Sequence, residues 1–175
     1  MKFLQNFFFI SFFLLLSVNN LFAEDKVAYL DIDRILTNTI AGKSLLNTLK
    51  KEEDSIINKF KKKDEEFKNE EKKILAKKNL ISKEEANNEM KTLQIKFQKY
   101  RNDKSKKIED LKIKRNKNIL NFLNSINPII EKYMMDNSIY MLMDKKNVFI
   151  ASKNYNITNK LIELIDNQIK TVEIE

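Results

Sequence analysis

The sequence predicts an α+β protein in which a small β-sheet body carries a long, protruding α-helical coiled-coil hairpin. The 175-residue chain contains one glycine and one proline, and so little turn chemistry implies very long uninterrupted elements. Charged residues make up 33% of the chain, which suits an elongated helical protein better than a compact domain. Apolar residues alternate with a period of two near both ends of this protein, whereas the middle repeats every 3.5 residues. These two periods indicate strands in the body and a helical hairpin between them.

The first 23 residues have the pattern of a secretory signal peptide. Lys2 is the only charge before Glu24, an uncharged apolar run occupies residues 7–18, and Ala23 fits the last position before cleavage. An uncleaved membrane anchor is the alternative, but it needs about 20 apolar residues, and two asparagines interrupt the run before that length. We therefore expect residues 1–23 to be removed and the protein to be exported.

Residues 24–175 are expected to form a single domain, since about 150 residues is a common domain size. Within that domain, the predicted body comprises residues 24–42 and 118–175. The predicted arm, residues 43–117, is inserted between the two body segments.

Residues 26–33, KVAYLDID, predict the first strand because apolar side chains alternate along it. Ala28, Leu30 and Ile32 would share one face of this strand. We expect Asp33 to cap the helical turn that follows. Gly42, the lone glycine of the chain, is expected to permit close packing where the arm begins.

Two motifs near this strand suggest phosphate chemistry but lack the context that it requires. Asp31 and Asp33 match the opening of aspartate-nucleophile phosphotransferases, which also need an α/β sheet and further acids that hold Mg²⁺. Residues 42–44, Gly-Lys-Ser, match the end of a phosphate-binding loop, but Thr37 stands where that loop needs its first glycine. The chain also lacks cysteine and histidine, which excludes a thiol catalyst and the commonest general base. We therefore expect neither an enzyme nor a cofactor.

The middle of the chain predicts two helices that pair along an imperfect coiled-coil seam. In the first helix, the positions spaced alternately three and four residues apart are Leu46, Leu49, Glu53, Ile56, Phe60, Lys63, Phe67, Glu70 and Ile74. In the second helix they are Ala86, Met90, Leu93, Phe97, Tyr100, Lys104, Lys107 and Leu111. Asn79 is expected to end the first helix, and Ser82 with Glu85 predicts a capping box for the second.

The C-terminal part of the chain predicts a strand hairpin and a short helix. Residues 138–144, SIYMLMD, alternate as a strand does, residues 144–147 suit a turn, and residues 148–151 would be the partner strand. Asn156 or Thr158 is expected to cap a last amphipathic helix.

A three-stranded sheet with a single covering helix would bury little apolar surface and would leave its edges open to pairing. Oligomerisation through the sheet would remove both problems. The expected interface consists of apolar strand residues, namely Ala28, Leu30, Ile32, Ile139, Met141, Met143, Val148 and Ile150.

The order of these features resembles one known family over the whole mature chain. An export signal precedes a strand reading VAYLDIDRIL, and an Ala41-Gly42-Lys43 stretch opens the Lys/Glu-rich hairpin. The sequence YMLMDKKNVFIAS then precedes an amphipathic helix. This arrangement is similar to that of the Skp (OmpH-like) periplasmic chaperones.

The resemblance implies an assembly and an activity. It implies a homotrimer in which strands from three chains form a small β-barrel and three hairpins surround a central cavity. It also implies a holdase in the periplasm that binds unfolded outer-membrane β-barrel proteins between its arms without ATP. Some members of the family contact lipopolysaccharide through basic residues, so lipopolysaccharide or an anionic membrane surface is a further expected partner.

The arm offers large apolar side chains that a two-helix hairpin covers incompletely, and exposed apolar surface is typical of a site that binds other proteins. The expected client-binding residues are Ile56, Phe60, Phe67, Ile74, Met90, Leu93, Phe97 and Tyr100. The alternative is that these side chains only hold the two helices together, and the sequence leaves both interpretations open.

The charge distribution favours acidic partners. The chain has a net charge of +8, and residues 43–117 contain 24 basic and 14 acidic residues. The basic residues expected at the tip of the arm are Lys72, Lys73, Lys77, Lys78 and Lys83. The alternatives to a chaperone are a basic polyanion-binding protein and a membrane-anchored or periplasmic structural coiled-coil protein. The export signal argues against nucleic acid as a physiological partner.

Overall fold

The structure, a computed structural model, describes residues 26–78 and 80–174. The predicted signal peptide and the predicted helix end at Asn79 lie outside the described residues. In chain order the elements are β1 (Lys26–Leu30), α1 (Ile32–Asn38), α2 (Ile40–Lys77), α3 (Lys83–Asp136), β2 (Ile139–Asp144) and α4 (Thr158–Gln168). Short 3₁₀ helices, Lys145–Asn147 and Lys153–Tyr155, lie between β2 and α4.

The predicted hairpin is formed by α2 and α3, which contain 38 and 54 residues. At 1.5 Å per residue these helices are about 57 Å and about 81 Å long. Ser82 caps α3 as predicted, because its hydroxyl accepts a hydrogen bond of 3.1 Å from the backbone N–H of Glu85. Pro128 lies inside α3, which continues past it to Asp136. The shortage of turn-forming residues therefore does produce very long helices.

The sheet within the described chain consists of β1 and β2, which pair in parallel. Val27 is opposite Met141 and Tyr29 is opposite Met143 in the register. Parallel neighbours need a long crossover connection, and here the whole helical hairpin forms it. The body therefore brings together two chain segments that the arm separates in sequence.

The prediction of a strand hairpin at residues 138–151 is wrong in its second half. Val148 to Ala151 forms no strand within the described chain, and the exposed fractions of Phe149 and Ile150 are 103% and 85%. Asp144 accepts a hydrogen bond from the backbone N–H of Lys146, which starts a 3₁₀ turn. That turn leads the chain away from β2 instead of back along it. The edge of β1 instead receives the backbone N–H of Ile157, which donates to the carbonyl of Tyr29.

The predicted end of the first strand is also wrong, because β1 ends at Leu30 and Ile32 already begins α1. The N-cap is Asp31 and not Asp33, since the Asp31 side chain accepts a hydrogen bond of 3.0 Å from the backbone N–H of Arg34. The carbonyl of Asp31 also accepts the first helical hydrogen bond, from Ile35, which is the defining position of an N-cap. The helix begins two residues earlier than the alternation suggests.

The core of the body lies where α3 and α4 meet the N-terminal elements. Phe122, Ile126, Leu161 and Ile165 are almost completely buried there. On the sheet, Ala28 and Leu30 belong to this core, and Ile139 and Leu142 pack against it. Met141 and Met143 pair in register with Val27 and Tyr29, on the other face of the sheet. A register shift between Lys26 and Val27 thus places Ile139 and Met141 on different sides, although their spacing predicts a shared face.

Residues from both ends of the chain are joined at the start of α4. Ile157 occupies the N-cap position, so neither Asn156 nor Thr158 is the cap residue. The Asn156 side chain nevertheless accepts hydrogen bonds from the backbone N–H and the hydroxyl of Thr158, at 3.0 and 2.6 Å. The Thr158 hydroxyl in turn accepts a hydrogen bond of 2.9 Å from the backbone N–H of Asp31. Buried Thr158 therefore connects α4 to the end of β1.

Gly42 lies in the first turn of α2, where α1 and α2 meet. A β-carbon at this position would overlap the carbonyl oxygen of Leu36 and would lie 2.7 Å from Thr39 Oγ1. The same Thr39 hydroxyl caps α2 by accepting a hydrogen bond of 3.1 Å from the backbone N–H of Gly42. The glycine thus has the packing role that the sequence suggests, at the root of the arm.

Candidate functional site

The arm is the candidate functional site, and the eight side chains expected there all lie along the α2–α3 interface. Ile74 and Leu93 are buried, with exposed fractions of 7% and 5%. Phe97 is exposed at 39%. The others are half-buried, namely Ile56, Phe60, Phe67, Met90 and Tyr100. The buried pair contributes to helix pairing, whereas the other six present part of their surface to solvent.

Four aromatic side chains form a cluster in the outer half of the arm. The ring centroids of Phe67 and Phe97 are 5.3 Å apart in an edge-on arrangement, and those of Phe67 and Tyr100 are 5.1 Å apart. Phe60 meets Tyr100 at 6.3 Å, also edge-on. Such pairs stabilise by about 0.5–1.5 kcal/mol beyond the area that they bury. The cluster therefore holds the helices together while Phe97 stays accessible.

An ion-pair clasp lies beside the aromatic cluster. The Tyr100 hydroxyl donates a hydrogen bond of 2.7 Å to Asp64 Oδ1, and the Lys104 amine lies 2.7 Å from Asp64 Oδ2. The hydrogen bonds from Lys104 and Tyr100 hold the pKa of Asp64 below its usual value. The hydrogen bond to Asp64 raises the pKa of Lys104, and burial raises the pKa of Tyr100.

The seam prediction is wrong about which polar residue lies at this level. The spacing predicts Lys63 at the seam, but the half-buried residue is its neighbour Asp64. Lys63 is exposed and pairs with Glu66 on the same helix, at 2.6 Å. A half-buried carboxylate is stabilised here because α3 supplies both a cation and a hydroxyl at the same level.

Two further ion pairs connect the helices on either side of the clasp. Lys114 lies 2.9 Å from Glu52 nearer the body, and Lys96 lies 3.4 Å from Glu70 nearer the tip. All these side chains remain partly exposed, so each pair is worth little alone. Polar contacts therefore alternate with apolar contacts along the interface.

One side of the arm contains a lateral groove that the seam spacing does not predict. Near the body, Ile57 and Ile108 line a depression of about 310 Å³ together with Phe60 and Leu111. Ile108 also lines the next depression, of about 330 Å³, with Phe97 and Tyr100. Asp64 and Phe97 are shared with a third depression, of about 480 Å³, which Phe67 and Met90 line. Because neighbouring depressions share residues, they form one continuous groove.

The exposed isoleucines of the lateral groove are the residues that the sequence analysis missed. The exposed fractions of Ile57 and Ile108 are 38% and 51%. Each stands one position after a seam residue, Ile56 or Lys107. Apolar residues directly beside a seam position broaden the apolar stripe to one side, and this is the signal that could identify the groove.

The basic residues expected at the tip are all exposed there. Two exposed leucines lie between them in sequence, Leu75 at 53% and Leu80 at 84%. The residues are Lys72, Lys73, Lys77, Lys78 and Lys83. The tip thus combines positive charge with accessible apolar side chains.

The two aspartates that suggested phosphate chemistry are occupied by structural contacts. Asp31 caps α1 and lies 3.1 Å from the Lys145 amine, and the hydrogen bond from Arg34 N–H lowers its pKa. Asp33 lies 2.8 Å from the Lys146 amine, whose pKa it raises. Over residues 26–78 and 80–174, no cluster of acidic side chains could hold a metal ion. Across the same residues, none of the helices has the length and apolar content needed to cross a membrane.

Comparison with known families identifies the architecture. The family model described as outer membrane protein (OmpH-like) matches residues 26–165, which span both body segments and the arm. The chain belongs to the OmpH-like family. Among solved structures, this OmpH-like protein is similar to an OmpH-like protein from Caulobacter crescentus that is provisionally described as an outer membrane chaperone. The two are 20% identical with a TM-score of 0.77, over 87% of this chain and 90% of the other. No curated protein sequence matches the chain significantly.

Proposed function

We propose that this OmpH-like protein is a periplasmic holdase chaperone that binds unfolded outer-membrane proteins along its arms and prevents their aggregation without ATP. One observation carries the proposal: the arm exposes apolar side chains along its length, from Ile57 and Ile108 to Phe97. Exposed apolar surface of this extent is costly unless it serves to bind something. Family membership and the chaperone-like fold of the Caulobacter crescentus protein support the same role.

Export is part of the proposal. Residues 1–23 would be cleaved after Ala23, which leaves a mature chain with body segments 24–42 and 118–175 and arm 43–117. An outer-membrane client reaches the periplasm unfolded, so a chaperone for it must be exported as well. Family membership supports this localisation.

We propose a homotrimer assembled through the body. The outer face of the sheet leaves Met141 exposed at 55%, and the neighbouring segment contains Phe149 and Ile150, which are exposed at 103% and 85%. In the proposed trimer, these side chains contact another copy of the chain, and so does the edge of β2 that no strand of the described residues pairs with. Removing them from water would contribute roughly 25 cal/mol for each Å² of apolar surface.

An anionic surface is a second proposed partner, and the tip of the arm would contact it. Five lysines and exposed Leu80 combine charge with an apolar group that could enter the headgroup region of a membrane. Lipopolysaccharide and anionic phospholipid both offer phosphate groups to such a tip.

The test of the holdase is the dilution of a urea-unfolded outer-membrane porin into buffer with and without the mature protein. At one trimer per porin, we expect turbidity to be suppressed without ATP. Unchanged turbidity would reject the holdase. Equal suppression by lysozyme, a basic protein without such arms, would mean that positive charge alone suppresses the turbidity.

A further inference from the structure

We propose that the lateral groove of a single arm docks one extended, strand-length segment of unfolded polypeptide in which apolar residues alternate with acidic ones. This inference rests on the proposed holdase function and assigns it a site and a sequence preference. It differs from the seam prediction because the exposed groove residues Ile57 and Ile108 lie beside the seam, whereas the seam residue Ile74 is buried and does not line the groove. The groove residues are accessible without separating α2 from α3.

The length of the groove fits a strand. Along α2 its lining extends from Leu49 to Glu71. That distance is about 33 Å at 1.5 Å per residue. An extended chain rises about 3.3 Å per residue, so about ten residues would fill the groove. A transmembrane β-strand contains about 9–11 residues, which is the same scale.

The floor of the groove fits an alternating sequence. The floor contains Ile57, Ile108 and Phe97, which follow one another along the arm and are exposed at 38%, 51% and 39%. An extended peptide directs every second side chain to one side, so it can place an apolar row on this floor and a polar row in solvent. Outer-membrane strands alternate in this way.

The rim of the groove favours acidic residues in the polar row. Lys104 and Lys114, which line the groove, are paired with Asp64 and Glu52 of α2. The remaining charged lining residues, for which the described chain contains no ion pair, are Lys68, Arg101, Lys112, Arg115, Glu53 and Glu71. Four cations against two carboxylates leave the rim positive. Opposite charge raises the rate of association and the discrimination between peptides.

The experiment uses the full mature chain and a fluorescein-labelled ten-residue peptide that alternates valine or leucine with glutamate or serine. Binding is measured by fluorescence anisotropy at about 0.15 M salt, where charges beyond about 8 Å are screened. The groove variant is Ile57→Ser with Ile108→Ser. The matched control is Ile95→Ser with Ile113→Ser, which changes two exposed isoleucines, at 64% and 58%, that do not line the groove.

We expect the groove variant to bind the peptide at least fivefold more weakly and the control to bind as the unchanged protein does. A peptide with lysine in place of glutamate should bind more weakly, and so should a peptide of equal composition with helical spacing. Equal effects of the two variants, no effect of either, or preference for the helical spacing would overturn the proposal. Circular dichroism and light scattering accompany each measurement, and loss of oligomers in the groove variant would show a contact between copies instead.

The porin experiment separates this inference from the proposed function. If the unchanged protein prevents porin aggregation and the groove variant does so equally well, the groove assignment fails while the holdase survives. If the unchanged protein does not prevent aggregation, the holdase fails whatever the peptide binding shows.

Discussion

The amine of Lys104 in α3 lies 2.7 Å from Asp64 Oδ2 in α2, so one ion pair joins the two helices of the arm in its outer half. The same carboxylate accepts the Tyr100 hydroxyl, and the Lys104 amine lies 5.6 Å from the centre of the Phe60 ring. An ion pair, a hydroxyl and an aromatic ring therefore contact one another at one level of the α2–α3 interface.

Replacing Asp64 by alanine is expected to destabilise the arm. Asp64→Ala removes the acceptor of both Lys104 and Tyr100, and because the pair is partly exposed we expect a loss of about 0.5–1 kcal/mol in the free energy of unfolding. Urea unfolding followed by circular dichroism measures this loss. Glu66→Ala is the matched control, since it removes an ion pair of 2.6 Å within one helix and should change the free energy by a few tenths at most. Equal losses would mean that the clasp does not join the helices.

The pH dependence of stability should follow the shifted pKa values. The pKa values of Asp64 and Asp31 are lowered from 3.8, so their contribution is present above that value and is lost as the pH falls through the lowered folded-state values. The pKa values of Lys104 and Tyr100 are raised from 10.5 and 10.0, so stability falls again as the pH rises above about 10.

Since the chain contains no histidine, we expect a flat plateau of stability between about pH 5 and 9. Urea midpoints measured across this range check the plateau, and Asp64→Asn should reduce the loss on the acid side. A transition between pH 6 and 7 would contradict the assignment.

Substitution of Gly42 by alanine should lower the free energy of unfolding, whereas the same substitution in an ordinary helix raises it. In an exposed helix interior, Gly→Ala stabilises by about 1 kcal/mol. Here the added methyl group would overlap the carbonyl of Leu36, so we expect Gly42→Ala to destabilise by about 1–3 kcal/mol in thermal or urea unfolding. Ser44→Ala, at an exposed position in the same turn, should be neutral or slightly stabilising. A stabilised Gly42→Ala protein would show that the root of the arm can relax.

Assembly should depend on the outer face of the sheet. Met141→Asp places a carboxylate on an exposed strand residue, so it should leave the folded chain intact and prevent trimer formation, because an unpaired charge is costly at a buried interface. Ile139→Asp should prevent trimer formation and should also lower the free energy of unfolding, because Ile139 packs against the core. Multi-angle light scattering distinguishes trimer from monomer. Leu75→Asp, which adds the same charge to the arm, serves as the control, and a trimeric Met141→Asp protein would contradict the interface.

The tip should determine binding to anionic surfaces. Replacing Lys72, Lys73, Lys77, Lys78 and Lys83 by glutamine should weaken co-sedimentation with vesicles that contain anionic phospholipid, because each lysine near such a surface contributes about 1 kcal/mol. Replacing Lys50, Lys51, Lys59, Lys61 and Lys62 instead removes the same charge away from the tip and should have a smaller effect. Equal losses for the two sets would mean that net charge alone drives binding.

The hairpin could be predicted from the sequence because its signals are local. The spacing of Phe60, Phe67 and Ile74 defines a helical face, and Ser82 marks the start of the returning helix. Long helices also leave few alternatives to pairing side by side. For the same reason Gly42 could be assigned a packing role before its neighbours were known.

The sheet and the groove could not be predicted because they depend on residues that are distant in sequence. Nothing near Val27 specifies that Met141 is its parallel neighbour, and the apolar run of residues 148–151 indicates a strand without indicating a partner. Ile57 and Ile108 line the same groove only because the two helices lie side by side. Likewise, Asp64 replaces Lys63 at the seam because Lys104 and Tyr100 lie opposite it.

The parallel pairing of β1 and β2 also constrains the order in which the chain can fold. The hydrogen bond from Asp31 to Thr158 joins residues 127 positions apart, and such a contact cannot form early in a flexible chain. The α2–α3 hairpin closes from its tip through contacts between near neighbours and so brings the two halves of the body together. The arm is therefore also the scaffold on which the body folds, and a variant with a weakened clasp should refold more slowly even where its native body is unchanged.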